Sequence, residues 1–246
     1  MGYYLFDVLA WFSRPFKSFP SAVVVVVLSL LVWIFFIIHN AFQARKLGVV
    51  HVKAFQRWYV YMGFVVVVIV PSFFYDSCSG TQEYRLGTAS MSPAIEAGER
   101  VVVDMGFYKQ HEIEPGDVVV FHHPKHPDEI NAKRCIARGG QTVQIRDGIA
   151  YVNNDRSLPT LLLKRTNWHL LPPDAKDPRI FPPGAGNEDY YGPVTVPEGK
   201  IFVLGDLRDL SFDSRFFGFI DQEAVMGKVV YIWWSSNIAR VGRTVR

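Results

Sequence analysis

Three stretches of this chain contain side chains that could do covalent chemistry together. Ser90 lies in SMSP, residues 90–93, Lys133 lies in INAKRCIARGG, residues 130–140, and Ser211 lies in GDLRDLSFDSR, residues 205–215. A serine hydroxyl is a weak nucleophile and needs a base. A lysine supplies one only when desolvation lowers its amine from an ordinary pKa of about 10.4 toward neutrality. Ala132 and Cys135 stand beside Lys133 in the largely apolar strand that this requires. Taken singly, a serine beside a proline is usually a turn residue and a strand lysine is usually solvated. The third stretch packs Asp206, Arg208, Asp209, Asp213 and Arg215 around Ser211, either as an exposed ion-paired turn or as support for a buried group. His122, His123 and His126 cluster in a Pro-containing turn that reads as surface. No cysteine or carboxylate set with closed-site spacing accompanies them, so no metal is assigned.

The elements that must position these residues are strands. From residue 84 onward RVVVDM, GDVVVFHH, AKRCIARG, QTVQIRDG, IAYVNN, GKIFVLGD and GKVVYIWWS have the length and β-branched content of strands, with turn residues between them. Asp147-Gly148 marks a hairpin. Residues 155–195, dense in proline and containing PPDAKDPRIFPPGAG, read as an irregular insertion. A mostly β domain over 76–246 follows.

Ahead of that domain the composition changes. AVVVVVLSLLVWIFFII, residues 22–38, and YVYMGFVVVVIVPSFFY, residues 59–75, carry no charge. At about 1.5 Å per residue each is long enough to cross most of a hydrocarbon core as a helix, the form in which one segment satisfies its own backbone in lipid. Two buried strands of a soluble sheet are the alternative, at a length unusual for strands. The first run is longer than a cleavable signal's apolar core, and HNAFQARK follows it in place of a small-x-small site. Between the spans, residues 39–58 hold Arg45, Lys46, Lys53 and Arg57 and no acidic residue, whereas Asp76 and Glu83 follow the second span. The positive-inside rule makes this loop cytoplasmic and places the domain after residue 76 outside, with Arg14 and Lys17 opposing that assignment. The aromatic-rich segment 1–21 suits the membrane interface.

The net charge of +3 is small and no basic stripe interleaves with aromatics, so nothing calls for nucleic acid. The two cysteines, Cys78 and Cys135, fall on the same side of the expected membrane, where a disulfide and two free thiols are both open.

Together SMSP (90–93), GERVVVD (98–104), GDVVVFHHP (116–124), AKR (132–134) and GDLRDLSFDSRFFG (205–218) resemble, in order and approximate spacing, the motifs of the type I signal peptidases, or leader peptidases. The two spans resemble the topology of the Gram-negative members. The resemblance implies a membrane-bound serine endopeptidase of the inner membrane. It would be multi-pass, with its catalytic domain on the periplasmic or extracytoplasmic side, and would use no cofactor. Its substrates would be secretory preproteins, cut after small residues at the first and third positions before the bond. By position Ser90 matches the nucleophile and Lys133 the general base. Thr88 matches a hydroxyl that forms an oxyanion hole with the Ser90 N–H. Ser211 matches the serine that orients the lysine, with Asp213–Arg215 and Asp206–Arg134 as supporting ion pairs. Tyr84, Leu86, Ile95, Val120, Asn131 and Ala132 match the substrate cleft, and Met91 with Trp233-Trp234 matches an apolar edge facing lipid or, equally, ordinary core. The chain departs from the pattern at Leu207 and Leu210, where the family has Asn, at ARGGQ (137–141), and at Leu86-Gly87. These departures leave room for a dedicated processor of a pilin or conjugation substrate. An inactive membrane-anchored assembly subunit is the reading from another class, and the intact Ser90, Lys133 and Ser211 argue against it. A self-cleaving repressor lacks its DNA-binding segment here.

Overall fold

The computed structural model describes residues 80–153, 155–156 and 170–245, together with Ile34 and Ile38, which are helical. The chain divides into two compact units, Met1–Thr81 and Gln82–Arg246. Apart from those two isoleucines, the interfacial segment 1–21, both expected spans, the basic loop 39–58 and Cys78 lie outside the described residues. Among the described residues no helix is long and apolar enough to cross a membrane.

Eleven described strands follow in chain order. They are β1 (Thr81–Arg85), β2 (Arg100–Asp104), β3 (Val118–His123), β4 (His126–Arg138), β5 (Thr142–Arg146), β6 (Ile149–Val152), β7 (Asp155–Arg156), β8 (Tyr191–Thr195), β9 (Lys200–Leu204), β10 (Ile220–Asp221) and β11 (Val225–Trp234). One short helix, α1 (Ser214–Phe217), lies between β9 and β10. A seven-stranded sheet has the order β1-β2-β11-β3-β4-β9-β10, and a four-stranded sheet has the order β7-β6-β5-β8.

Alternation along the strands builds the core. In β3, Val118 and Val120 enter one apolar cluster with Met91, Ile95, Ala132 and Ile232. Val119 and Phe121 enter another, with Cys135, Val203 and Phe217. Successive side chains of a strand point to opposite faces, so β3 is buried on both and reads as a continuous apolar run. The same holds for β9. Ile201 and Val203 join the second cluster, while Phe202 and Leu204 join a third with Val143, Ile145 and Tyr191 of the smaller sheet. β9 is thereby fixed from both sides just before it enters the charged loop at Gly205. The β5–β6 hairpin turns at Asp147 (φ 51) and Gly148 (φ 72). Two consecutive positive φ values belong to the tight two-residue turn that Asp-Gly favours.

Two expectations change. The segment 155–195 is not irregular throughout, because Tyr191–Thr195 forms β8 and pairs with β5. Tyr191 and Ile180 are core residues, an ordering that long-range pairing supplies and proline density conceals. The histidines do not share a surface turn. His123 is buried in β3, Lys125 N–H and His126 N–H both donate to its Nδ1, and His126 already belongs to β4. Burial, followed by the neighbouring His126, lowers the His123 pKa. Among the described residues no group of three metal-ligating side chains forms.

Removing the Phe202 ring should destabilise the domain by about 3–5 kcal/mol. Denaturant unfolding of Phe202→Ala checks this, and a loss below about 1 kcal/mol would mean that β9 is not anchored by this packing.

Candidate active site

Ser90 sits in a single turn of 3₁₀ helix, Ala89–Met91, and Lys133 in the middle of β4. Although 43 residues apart, they meet: Lys133 Nζ lies 2.7 Å from Ser90 Oγ. Both side chains are nearly inaccessible, Lys133 at 3 % and Ser90 at 4 % exposure. Burial pushes the Lys133 amine down to about 8, an effect that the charge of Arg215 reinforces and those of Asp213 and Asp206 oppose. An amine in that range loses its proton near neutral pH and can accept one from a hydroxyl. Thr88 Oγ1 stands 3.1 Å from Ser90 Oγ, on an exposed residue open to an incoming group.

Two buried ion pairs flank the lysine. Arg134, adjacent to it in β4, donates from Nε (2.7 Å) and Nη2 (2.6 Å) to the two carboxylate oxygens of Asp206, and from Nη1 to the Gly116 carbonyl. Arg215 donates from Nε and Nη2 to Asp213 at 2.8 and 3.0 Å, and further to the carbonyls of Arg208 and Glu188. Burial alone would raise the Asp213 carboxyl. Arg215, through charge and hydrogen bonding, then Arg208 and Lys133, hold it below its ordinary value. Each guanidinium thus has a bidentate carboxylate and backbone acceptors, the condition under which a charge can be buried at all.

The loop that carries the two aspartates also grips the nucleophile. Leu207 N–H donates to the Ser90 carbonyl at 3.0 Å, and Gly205 N–H donates to Asp213. A methyl group at Gly205 would stand 2.2 Å from Ser211 Oγ and 2.6 Å from the Ser90 carbonyl oxygen. Only glycine lets these two backbones approach.

Ser211 departs from its expected role. Its Oγ is buried without a hydrogen-bond partner among the described residues, and lies against Gly205 instead of bonding the lysine amine. Met91 (0 %) and Trp233 (8 %) are packed inside the domain, so neither offers an apolar edge to the exterior. Leu207 fills the core, whereas Leu210 is exposed, as is Phe212. Of the expected cleft, Ile95, Val120 and Ala132 share one apolar cluster, against which Tyr84 and Leu86 pack. Asn131 is half-buried and pairs with Phe121 in the β3–β4 ladder. Cys135 is a free, buried thiol, pushed up to about 12 chiefly by burial.

Sequence reasoning missed the ion pair between Glu99 and Arg240, both buried. Glu99 follows the glycine of GERVVVD, but Arg240 has no local pattern that could have drawn attention to it.

The family described as signal peptidase, peptidase S26, matches residues 55–234. Signal peptidase IB of Staphylococcus aureus strain COL is 33% identical over 187 residues, covering 74% of this chain and 91% of its own. Probable signal peptidase I-1 of Synechocystis is 32% identical over 155 residues, covering 60% and 68%. A crystal structure of a signal peptidase I from Enterococcus faecalis V583 is 29% identical and covers 48% of this chain and 97% of that one, with a TM-score of 0.34.

A buried lysine with a depressed pKa sets a pH signature on stability. Below about 8 the amine is protonated in both folded and unfolded chains, so the full penalty of burying its charge is present. Between about 8 and 10.5 the unfolded chain keeps a proton that the folded chain has released, so stability rises with pH. Lys133→Met, which lacks the charge, should therefore be the more stable protein at pH 7, by on the order of 3 kcal/mol. Its advantage should shrink toward pH 10. Unfolding free energies of both proteins across that range check it, and an advantage independent of pH would refute the depressed pKa.

Proposed function

The chain belongs to the type I signal peptidases, peptidase S26, and from that premise we propose that it removes signal peptides from secretory preproteins with a Ser90/Lys133 dyad. It is a serine peptidase by family. The assignment of the dyad rests on one observation, the 2.7 Å approach of Lys133 Nζ to Ser90 Oγ between two buried side chains.

In this reading the neutral Lys133 amine takes the Ser90 proton as Oγ attacks the scissile carbonyl carbon. The tetrahedral intermediate places its oxyanion between the Ser90 N–H and the Thr88 hydroxyl. As the peptide bond breaks, the lysine ammonium returns its proton to the leaving amine. A water, deprotonated by the same amine, then hydrolyses the acyl-enzyme, and the proton goes back to Ser90. Arg134–Asp206 and Arg215–Asp213 hold the lysine and the 205–215 loop in place. Ser211 fills the space that Gly205 leaves.

Tyr84, Leu86, Asn131 and Ala132 form the substrate-facing wall, with Ile95 and Val120 packed behind it. A closely packed apolar surface beside an edge strand accepts an extended peptide with small side chains and rejects bulky ones. The family is membrane-associated. We assign the anchoring to residues 22–38 and 59–75 as helices, with 39–58 cytoplasmic and 76–246 on the periplasmic side. Tethering enzyme and signal peptide to one bilayer raises their effective concentration.

The full chain in detergent should cleave a preprotein carrying an Ala-x-Ala site. Ser90→Ala and Lys133→Ala should each lower the rate by at least about a thousandfold while the domain stays folded. Thr88→Val should lower it by about a hundredfold, the loss of one oxyanion donor. Because the amine must be neutral, activity should fall as pH drops below about 8. Either dyad variant keeping full activity, measured as gel-resolved cleavage of that preprotein, would overturn the assignment.

A further inference from the structure

We propose that Arg240 is a positioning residue for catalysis, acting as a clamp on the chain that leaves the nucleophile. This rests on reading Ser90 as that nucleophile. Arg240 lies near the C-terminus, in the 3₁₀ turn Ile238–Arg240, and reaches back 141 residues in sequence to Glu99. Its Nε donates to Glu99 Oε1 at 2.6 Å and its Nη2 to Glu99 Oε2 at 3.0 Å. The same Nη2 donates to the carbonyls of Pro93 and Ala94, both at 3.1 Å. Those are the third and fourth residues after Ser90.

Glu99 completes the loop from the other end, accepting the Glu96 N–H at 2.7 Å. Arg240 and Glu99 are 8 % and 2 % exposed. Mutual hydrogen bonding raises the arginine pKa, and burial opposes it. For Glu99, burial raises the carboxyl, but the Arg240 and Glu96 contacts bring it below its ordinary value. Both groups are therefore charged at any working pH.

Besides its own backbone bonds, Ser92 N–H to the Ala89 carbonyl and Ile95 N–H to the Met91 carbonyl, the Ser90 turn is tied to the rest of the domain on two sides. On one side the Leu207 N–H fixes the Ser90 carbonyl. On the other, one guanidinium bridges the carbonyls of 93 and 94 to the carboxylate at 99. Without the arginine, the segment after Ser90 loses its tie to the C-terminal turn and gains freedom to shift Ser90 Oγ relative to Lys133 Nζ. Misplacement by about 1 Å at a reacting atom is enough to slow a reaction by up to a hundredfold. The arginine fork is what allows one side chain to meet a carboxylate and two carbonyls, and a lysine ammonium has no such planar reach.

The test uses the full chain in detergent with the same preprotein, and compares Arg240→Lys, Glu99→Gln and Ser90→Ala. Arg240→Lys keeps a cation beside Glu99 but gives up the grip on the carbonyls. Its kcat should fall about tenfold with KM within twofold of the wild type. The acid limb of its pH profile should not move, because the surroundings of Lys133 are untouched. Glu99→Gln leaves the Nη2 bonds to Pro93 and Ala94 in place and should lose less than threefold. If Arg240→Lys does not fold, the double variant Glu99→Gln/Arg240→Gln orphans no buried charge and should show the same fall in kcat. The clamp is refuted if Arg240→Lys, or the double variant in its place, retains kcat within twofold. It is also refuted if the acid limb shifts, or if the two single variants lose activity equally and in step with their melting temperatures. Ser90→Ala separates the two levels. Residual activity there removes the nucleophile assignment itself, whereas an inactive Ser90→Ala beside a fully active Arg240→Lys removes only the clamp.

Discussion

An amine that holds its proton in water has to lose it against a serine hydroxyl, and the contact between Lys133 and Ser90 requires the rest of the domain to make that possible. Desolvation is the largest influence on Lys133, and it comes from burial in the middle of β4 between β3 and β9. Placing a lysine there works against stability. The apolar clusters on both faces of β3 and β9 offset that cost and leave the amine largely desolvated. Depressed basicity and a well-packed sheet are two consequences of one arrangement.

Charge balance is the second requirement. Arg134 neighbours Lys133 in sequence and Arg215 acts on it through space, and both would repel the ammonium if left bare. Each is neutralised by an aspartate from the 205–215 loop; the Arg134–Asp206 pair binds that loop to the sheet, and the Arg215–Asp213 pair braces it internally. That loop then reaches the Ser90 carbonyl through Leu207. The segment before β8 joins the same network. The Glu188 carbonyl accepts from Arg215, and Phe181 N–H donates to the Arg215 carbonyl. What reads in sequence as a proline-rich insertion therefore supports the ion pair behind the lysine.

Much of this was legible in the residues. The β-branched runs gave strands because their composition matches the pleated, buried environment, and the motif residues Ser90, Lys133, Thr88, Arg134, Asp206, Asp213 and Arg215 come together in the fold. The 191–195 strand stayed hidden because its Gly-Pro content argues against pairing, while β5 imposes it from a distance. His123 read as surface because its neighbours are prolines and charges. Its burial comes from Phe212 and Phe217, which are remote in sequence. Ser211 was assigned by position, yet a hydroxyl's partner depends on one side-chain torsion, which no motif specifies. Arg240 was invisible for a simpler reason: a single arginine in a C-terminal segment has no periodicity, and its meaning lies wholly in contacts made across the chain.

Catalysis by the dyad depends most on the protonation state of one nitrogen. Direct titration of the Lys133 side chain, by NMR of protein with isotopically labelled lysine, reads that state without reference to any substrate. The account predicts a midpoint near pH 8 for this lysine, with the exposed lysines titrating at their ordinary values. A Lys133 that titrates with them, above pH 10, would contradict it.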